Sequence, residues 1–163
     1  MLKLGVPIVI AASVSIAFLP SGRQEQARPD PSQQAIETAV RAVHVQMRQA
    51  AERLDVHALY AHVLDTGTPP IVEDGRLTST WAAALESTAR GLQGLTSLSY
   101  AYTHENITVI SPNAALWVGE GTASATLENG RQIEAPFAET MLFVQRDGEW
   151  KILHAHRSAP NPT

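Results

Sequence analysis

The chain has 163 residues, 44% of them hydrophobic and 17% charged, a balance that suits one globular domain rather than a disordered chain. Its formal net charge is −4 and it carries no basic run, which argues against nucleic acid as a partner. It contains no cysteine, so disulfides, thiolate metal sites, a cysteine nucleophile and a lipid-anchored cysteine are all excluded.

Met1 to Leu19 places a single cation, Lys3, before an apolar run from Leu4 to Leu19. That is a short basic n-region followed by an apolar h-region, with a small-x-small cleavage pattern at Ser15-Ile16-Ala17. The run includes Gly5 and Pro7 and is marginal for a membrane span, which needs roughly 20 residues. Residues 1–20 are therefore expected to be a signal peptide or an uncleaved N-terminal anchor. The protein is then exported, periplasmic or secreted, and touches membrane only through that segment. Residues 21–34 are polar, proline-bearing and aperiodic, and read as a linker. Residues 35–158 form the domain and 159–163 a tail.

Within the domain, Ile36, Val40, Val43, Met47, Ala50 and Leu54 recur at three- and four-residue steps and give a first helix one apolar stripe. His44, His57 and His62 fall off the apolar positions and are expected to be solvated. Asp55 suits the N-cap of a second helix that turns Val56, Leu59, Tyr60 and Val63 inward. Ile71 to Leu77 reads as a short extended piece around Asp74-Gly75. Thr78 or Ser79 is placed to cap a third helix through Trp81, Ala84, Leu85 and Ala89, ended by Gly91 or Gly94. From Leu95 the period becomes two, and Pro112-Asn113, Asn129-Gly130 and Asp147-Gly148 divide the remainder into four strands. Helices followed by an antiparallel meander predict an α+β fold, with the helices packed on one face of the sheet.

Two-residue turns at Asn129-Gly130 and Asp147-Gly148 set a register. Phe143 then faces Ile152, Met141 faces His154 and Glu139 faces His156. Across the other hairpin Leu116 faces Phe143, Val118 faces Met141 and Glu120 faces Glu139. Opposed side chains share a sheet face. One face therefore carries Leu116, Val118, Met141, Phe143, Trp150 and Ile152 as core, with Glu120, Glu139 and His156 in a row at its end and His154 beside them. The other face carries Trp117, Thr140, Leu142, Val144, Lys151, Leu153 and Arg157. Gly119, Gly121 and Pro136 mark places where a bulge reverses this pattern.

Three segments carry a resemblance to a known superfamily: Asp55-Val-His-Ala-Leu-Tyr60, Val109-Ile-Ser-Pro-Asn-Ala-Ala-Leu-Trp117 and Arg146-Asp-Gly-Glu-Trp-Lys-Ile-Leu-His-Ala-His-Arg-Ser158. Together with the element order they resemble the SnoaL-like branch of the nuclear transport factor 2-like superfamily. The resemblance implies a cystatin-like cone, in which a curved sheet holds the helices in its concave face and leaves a pocket at the wide end. It also implies homodimers through the outer sheet face. In the enzymes of that superfamily, among them ketosteroid isomerase and scytalone dehydratase, acids, histidines or tyrosines inside the cone do acid–base work on apolar substrates. None of those catalytic sets maps residue by residue onto this chain.

The candidate residues support more than one chemistry. His154 and His156 lie two apart on a strand, roughly 6–7 Å at Cα, which suits an acid–base pair, a metal pair or two structural histidines at the rim. Glu120 opposite Glu139 suits a proton-sharing dyad or, with His156, a cation site. Tyr60, Trp81, Tyr100, Val118, Met141 and Phe143 are expected to line a ligand pocket or simply fill the core. No nucleotide, flavin, haem or phosphate motif is present, so no cofactor is expected. Three functions compete. The first is an exported module binding a small apolar or amphipathic molecule. The second is an isomerase, dehydratase or cyclase using His154, His156 and Glu139. The third is a dimerisation scaffold.

Overall fold

A computed structural model describes residues 31–67, 71–73 and 75–159. The apolar Met1–Leu19 stretch and most of the expected linker lie outside the described residues. Helix α1 (Pro31–Glu52) begins before the expected end of the linker, with proline at its first turn, where the missing N–H costs no hydrogen bond. Its end is a reversed turn: Leu54 adopts φ 58°, its N–H bonds Ala51 O at 2.8 Å, and the Asp55 N–H bonds Ala50 O at 2.9 Å. Asp55 then caps α2 (Val56–Tyr60) by accepting the Ala58 N–H at 2.9 Å. The third helix, α3 (Trp81–Leu92), is capped by Thr80, slightly later than expected, and the chain turns after it at Gly94 with φ 76°.

Six strands build the sheet rather than four: β1 (Ile71–Glu73), β2 (Arg76–Thr78), β3 (Leu95–Ser111), β4 (Ala114–Leu127), β5 (Gln132–Arg146) and β6 (Glu149–Ser158). Their spatial order is β2-β1-β6-β5-β4-β3, and β1 runs parallel to β6, so the sheet is mixed. The expected extended piece around Gly75 is this small β1–β2 hairpin, docked on the free edge of β6. Helices α1 and α2 pack Val40, Met47 and Tyr60 against Ile107, Trp117, Met141, Phe143 and Ile152, closing the concave face.

The registers settle which side chains point inward. Asp147 (φ 53°) and Gly148 (φ 82°) form the expected two-residue turn, and Arg146 pairs with Glu149 and Phe143 with Ile152. Beyond Ile152 the register slips, and Leu142 pairs with His154. The extra residue, Leu153, sits where the β6 edge is otherwise engaged. Ile152 donates its N–H to His62 O and accepts the Leu64 N–H, both at 2.8 Å. This bulge reverses every later residue. Ala155 and Arg157 turn inward, while His154 and His156 share a face with Leu142 and Thr140.

The β4–β5 hairpin departs too. Leu127 N–H bonds Arg131 O at 2.9 Å and Gly130 (φ 81°) follows a turn closed by its N–H on Leu127 O, so the loop is three residues, Glu128-Asn129-Gly130. One extra residue moves the whole of β4 by one: Trp117 faces Met141, Ala115 faces Phe143 and Gly119 faces Glu139. Trp117, expected on the outer face, is completely buried, and Leu116, Val118 and Glu120 take the outer face instead.

Candidate functional site

One inward row crosses five strands. Glu105 on β3 pairs with Gly119 on β4, Gly119 with Glu139 on β5, Glu139 with Arg157 on β6, and Arg157 with Glu73 on β1. The expected polar row thus exists around Glu139, but its neighbours are shifted by one residue on each side. Gly119 is its gap. A Cβ there would lie 2.3 Å from the Trp117 ring, so the indole occupies the space that a side chain would take. The imidazole of His44, from α1, stacks on that indole with centroids 3.9 Å apart and planes at 27°.

His44 is 3% exposed and is the buried polar residue of the described chain. Its two nitrogens face two carboxylates: Nδ1 lies 3.5 Å from Glu105 Oε1, and Nε2 lies 3.9 Å from Glu139 Oε1. Tyr102 meets the ring edge-on at 5.1 Å and donates its phenol to Glu139 Oε1 at 2.5 Å. The other carboxylate oxygen of Glu139 lies 3.8 Å from Arg157 Nε. Arg157 in turn donates to Tyr100 Oη at 3.2 Å, and its guanidinium covers the rings of Tyr100 and Phe137 at 4.8 and 4.9 Å.

These contacts set the charge states. Burial by itself pushes the Glu139 carboxyl up, but His44, Arg157 and Tyr102 together outweigh it and hold the group below its ordinary value. The Tyr102 phenol moves the other way, raised first by burial and then by the adjacent Glu139 charge, so it stays protonated. For Arg157, burial opposes the charge, yet Tyr100 and Glu139 more than compensate and it stays cationic.

Above this floor lies a cavity of about 370 Å³. Its polar lining comes from His44, Arg48, Glu73, Glu139, Tyr102 and Arg157, and Met47, Leu59, Leu98, Phe137 and Met141 supply apolar wall. The volume falls within the usual range for small-molecule sites, roughly 300–1,000 Å³. Tyr60 borders the same space and shares a 2.8 Å hydrogen bond with Thr88. Tyr100 lines it as well, and Trp81 packs edge-on against Tyr60 without reaching the lining.

The other expected site residues lie outside this cavity. Phe143 is completely buried in the core below the cavity. Val118 and Glu120 are on the outer face, where Glu120 pairs with His104 at 2.8 Å. His154 and His156 are on that face too, and His156 pairs with Thr140 rather than Glu139, so the expected row of Glu120, Glu139 and His156 does not form; His156, Val118 and Glu120 instead border a second depression on the outer side. Among the described residues no three histidine, aspartate or glutamate side chains come together to hold an ion.

His44 is the residue that pattern reading missed. Its signal was present, since it stands four residues after Val40 and three before Met47, squarely on the buried stripe. The inward alternation of Tyr100 and Tyr102 was also legible. Nothing in the local sequence marked Glu105 or Arg157, whose orientation depends on bulges at Thr103 and Leu153.

The chain belongs to the SnoaL-like domain family, whose model matches residues 40–162. That bears out the resemblance drawn from its motifs. No curated protein sequence matches it. Among solved structures, its fold is similar to a candidate dehydratase of the nuclear transport factor 2-like family from Streptomyces avermitilis. That match has a TM-score of 0.70 at 18% identity and covers 79% of this chain and 99% of the other. It is also similar to a type 2 hexachlorocyclohexane dehydrochlorinase, LinA, with TM-score 0.68, 16% identity and 81% and 90% of the two chains covered. A cystatin-like protein from Caulobacter vibrioides gives TM-score 0.64 at 20% identity over 77% and 90%. At these identities the likeness speaks for the fold alone.

Proposed function

We propose that the protein binds a small amphipathic molecule inside the cone. Its apolar body rests on Met47, Leu98, Phe137 and Met141, and its polar end meets Arg157 and the Glu139–Tyr102 pair. The observation that carries this reading is the charged inward row at the floor of a mainly apolar cavity of about 370 Å³. Such a floor is costly to desolvate and contributes little to folding that an apolar core would not, so it points to recognition. Three bicyclic probes, 2-naphthol, 2-tetralone and 2-naphthoic acid, test it by thermal melts. At a ligand concentration 100-fold above Kd, binding to the folded state stabilises by about 2.7 kcal/mol. At least one probe should raise the melting temperature of the native protein, and Ala135→Phe, which fills the cavity wall, should abolish the rise. Equal melts with and without every probe, or a rise that survives Ala135→Phe, would oppose the proposal.

A second reading, proton transfer on the bound molecule, is favoured by one observation: a buried imidazole borders the cavity with a carboxylate at each nitrogen. In it Glu139 takes a carbon-bound proton and passes it to His44, the freed electron pair forms the new double bond, and Arg157 steadies negative charge developing on a ligand oxygen. The names of two similar structures, a candidate dehydratase and a dehydrochlorinase, lend support by analogy of fold. In D2O the protein should exchange the α-protons of 2-tetralone for deuterium and His44→Gln should not. Exchange no faster than in buffer would remove this reading and leave binding alone.

A further inference from the structure

The row contains more than a ligand floor. Glu105 and Glu139 sit two strands apart on the same face, about 10 Å at Cα for two strand spacings, and each presents a carboxylate oxygen to one nitrogen of His44. Gly119 lies between them and the Trp117 indole fills its place, so the His44 ring is carried on that indole in the gap between the two acids. One acid faces the cavity and the other faces outside. The Glu139 side chain is 8% exposed and lines the cavity, whereas the Glu105 side chain is 29% exposed and meets Arg41, itself 48% exposed, at 3.7 Å.

We infer that Glu139, His44 and Glu105 form a proton route from the floor of the cavity to solvent, passing through the seam between α1 and β3, with Glu105 as the residue that exchanges protons with water. The inference deepens the reading of the cavity as a site and names the regulation of its protonation. A proton reaching Glu139 moves to His44 Nε2, and the proton on Nδ1 leaves to Glu105 and then to water. One proton enters and one leaves, and the imidazole ends as the other tautomer until a ring flip or reverse transfer restores it. The present separations of 3.9 and 3.5 Å are ion-pair distances. Each needs a closure to about 3 Å, or one bridging water, for transfer. The charged groups facing the imidazole come from three directions: Arg41 and Arg48 on its own helix, Glu105 and the neutral Tyr102 on β3, and Glu139 on β5 backed by Arg157 on β6.

The route makes a measurable claim that needs no ligand. In protein labelled with 15N-histidine, the His44 imidazole N–H is identified by its loss in His44→Gln, and its exchange with water is followed by NMR. Despite burial it should exchange readily in the native protein, and Glu105→Gln should slow it by about tenfold or more, on the scale of losing one general base. Glu105→Asp, which keeps the acid, should recover most of the rate, a result that a merely structural role does not give. The amide spectrum serves as the control for folding. Unchanged exchange in Glu105→Gln, or slowing by Glu139→Gln alone, would overturn the route and place proton access at the cavity mouth. Because no ligand enters the experiment, the route stands or falls separately from the binding proposal. Slowed exchange in a protein that binds none of the three probes would sustain the one and sink the other.

Discussion

Gly119→Ala is expected to destabilise the protein by about 3 kcal/mol, the upper part of the range for overpacking a core. The added methyl would lie 2.3 Å from one Trp117 ring carbon and 2.7 Å from another, and the indole is completely buried with His44 stacked on its face. The ring has no space to retreat into without moving the imidazole. Chemical unfolding of the single variants and of the pair with Trp117→Phe gives the test. The smaller phenyl leaves room for the methyl, so the two substitutions should be strongly non-additive, with Gly119→Ala costing less than about 1 kcal/mol in the Trp117→Phe background. Simple additivity would mean that the glycine is required by the strand backbone and not by the indole.

The second large effect is at Glu139. Replacement by alanine removes the acceptor of the Tyr102 phenol and the counter-charge of Arg157 together. Breaking a buried pair by deleting one partner costs about 3–5 kcal/mol, and the lower end applies because the Arg157 side chain is 28% exposed. Glu139→Gln keeps an acceptor for Tyr102 and should cost less. The pH dependence follows from the direction of the carboxyl's shift. Its folded value lies below the ordinary 4.5, so the folded state binds this proton less readily than the unfolded chain. Its contribution is therefore complete above pH 4.5 and is lost as pH falls below that through the lower folded value. Stability measured from neutral pH downward should thus drop more steeply in the native protein than in Glu139→Gln, the two curves converging in acid. Parallel curves would mean that the carboxylate gains nothing from its surroundings.

Much of the fold was legible before the structure. The stripe on α1, the Asp55 cap, the period of two after Leu95 and the Asp147-Gly148 turn each rest on local chemistry, and each is present. The site was only half legible, because facing depends on counting residues around turns and through bulges. Asn129-Gly130 signals a hairpin equally well with two or three loop residues, and the third, Glu128, displaced Val118 and Glu120 outward and brought Trp117 in. The Leu153 bulge has no local signature at all. It accompanies pairing of Ile152 with residues 62–64, contacts made ninety positions away in the chain and invisible to periodicity. That single slip exchanged His154 and His156 for Ala155 and Arg157 at the floor of the cone. Glu139, at the centre of both hairpins, kept its place and only changed neighbours.

On the proposed reading the working face is the concave one, with His44 at its floor and His154 and His156 on the other side of the sheet. It is tested most directly by titrating 2-tetralone into the 15N-histidine-labelled protein and following all six imidazoles. The His44 resonances should shift with saturation while those of His154 and His156 stay in place. Movement of His154 and His156 with His44 unchanged would contradict it, and would put the binding surface on the other side of the sheet.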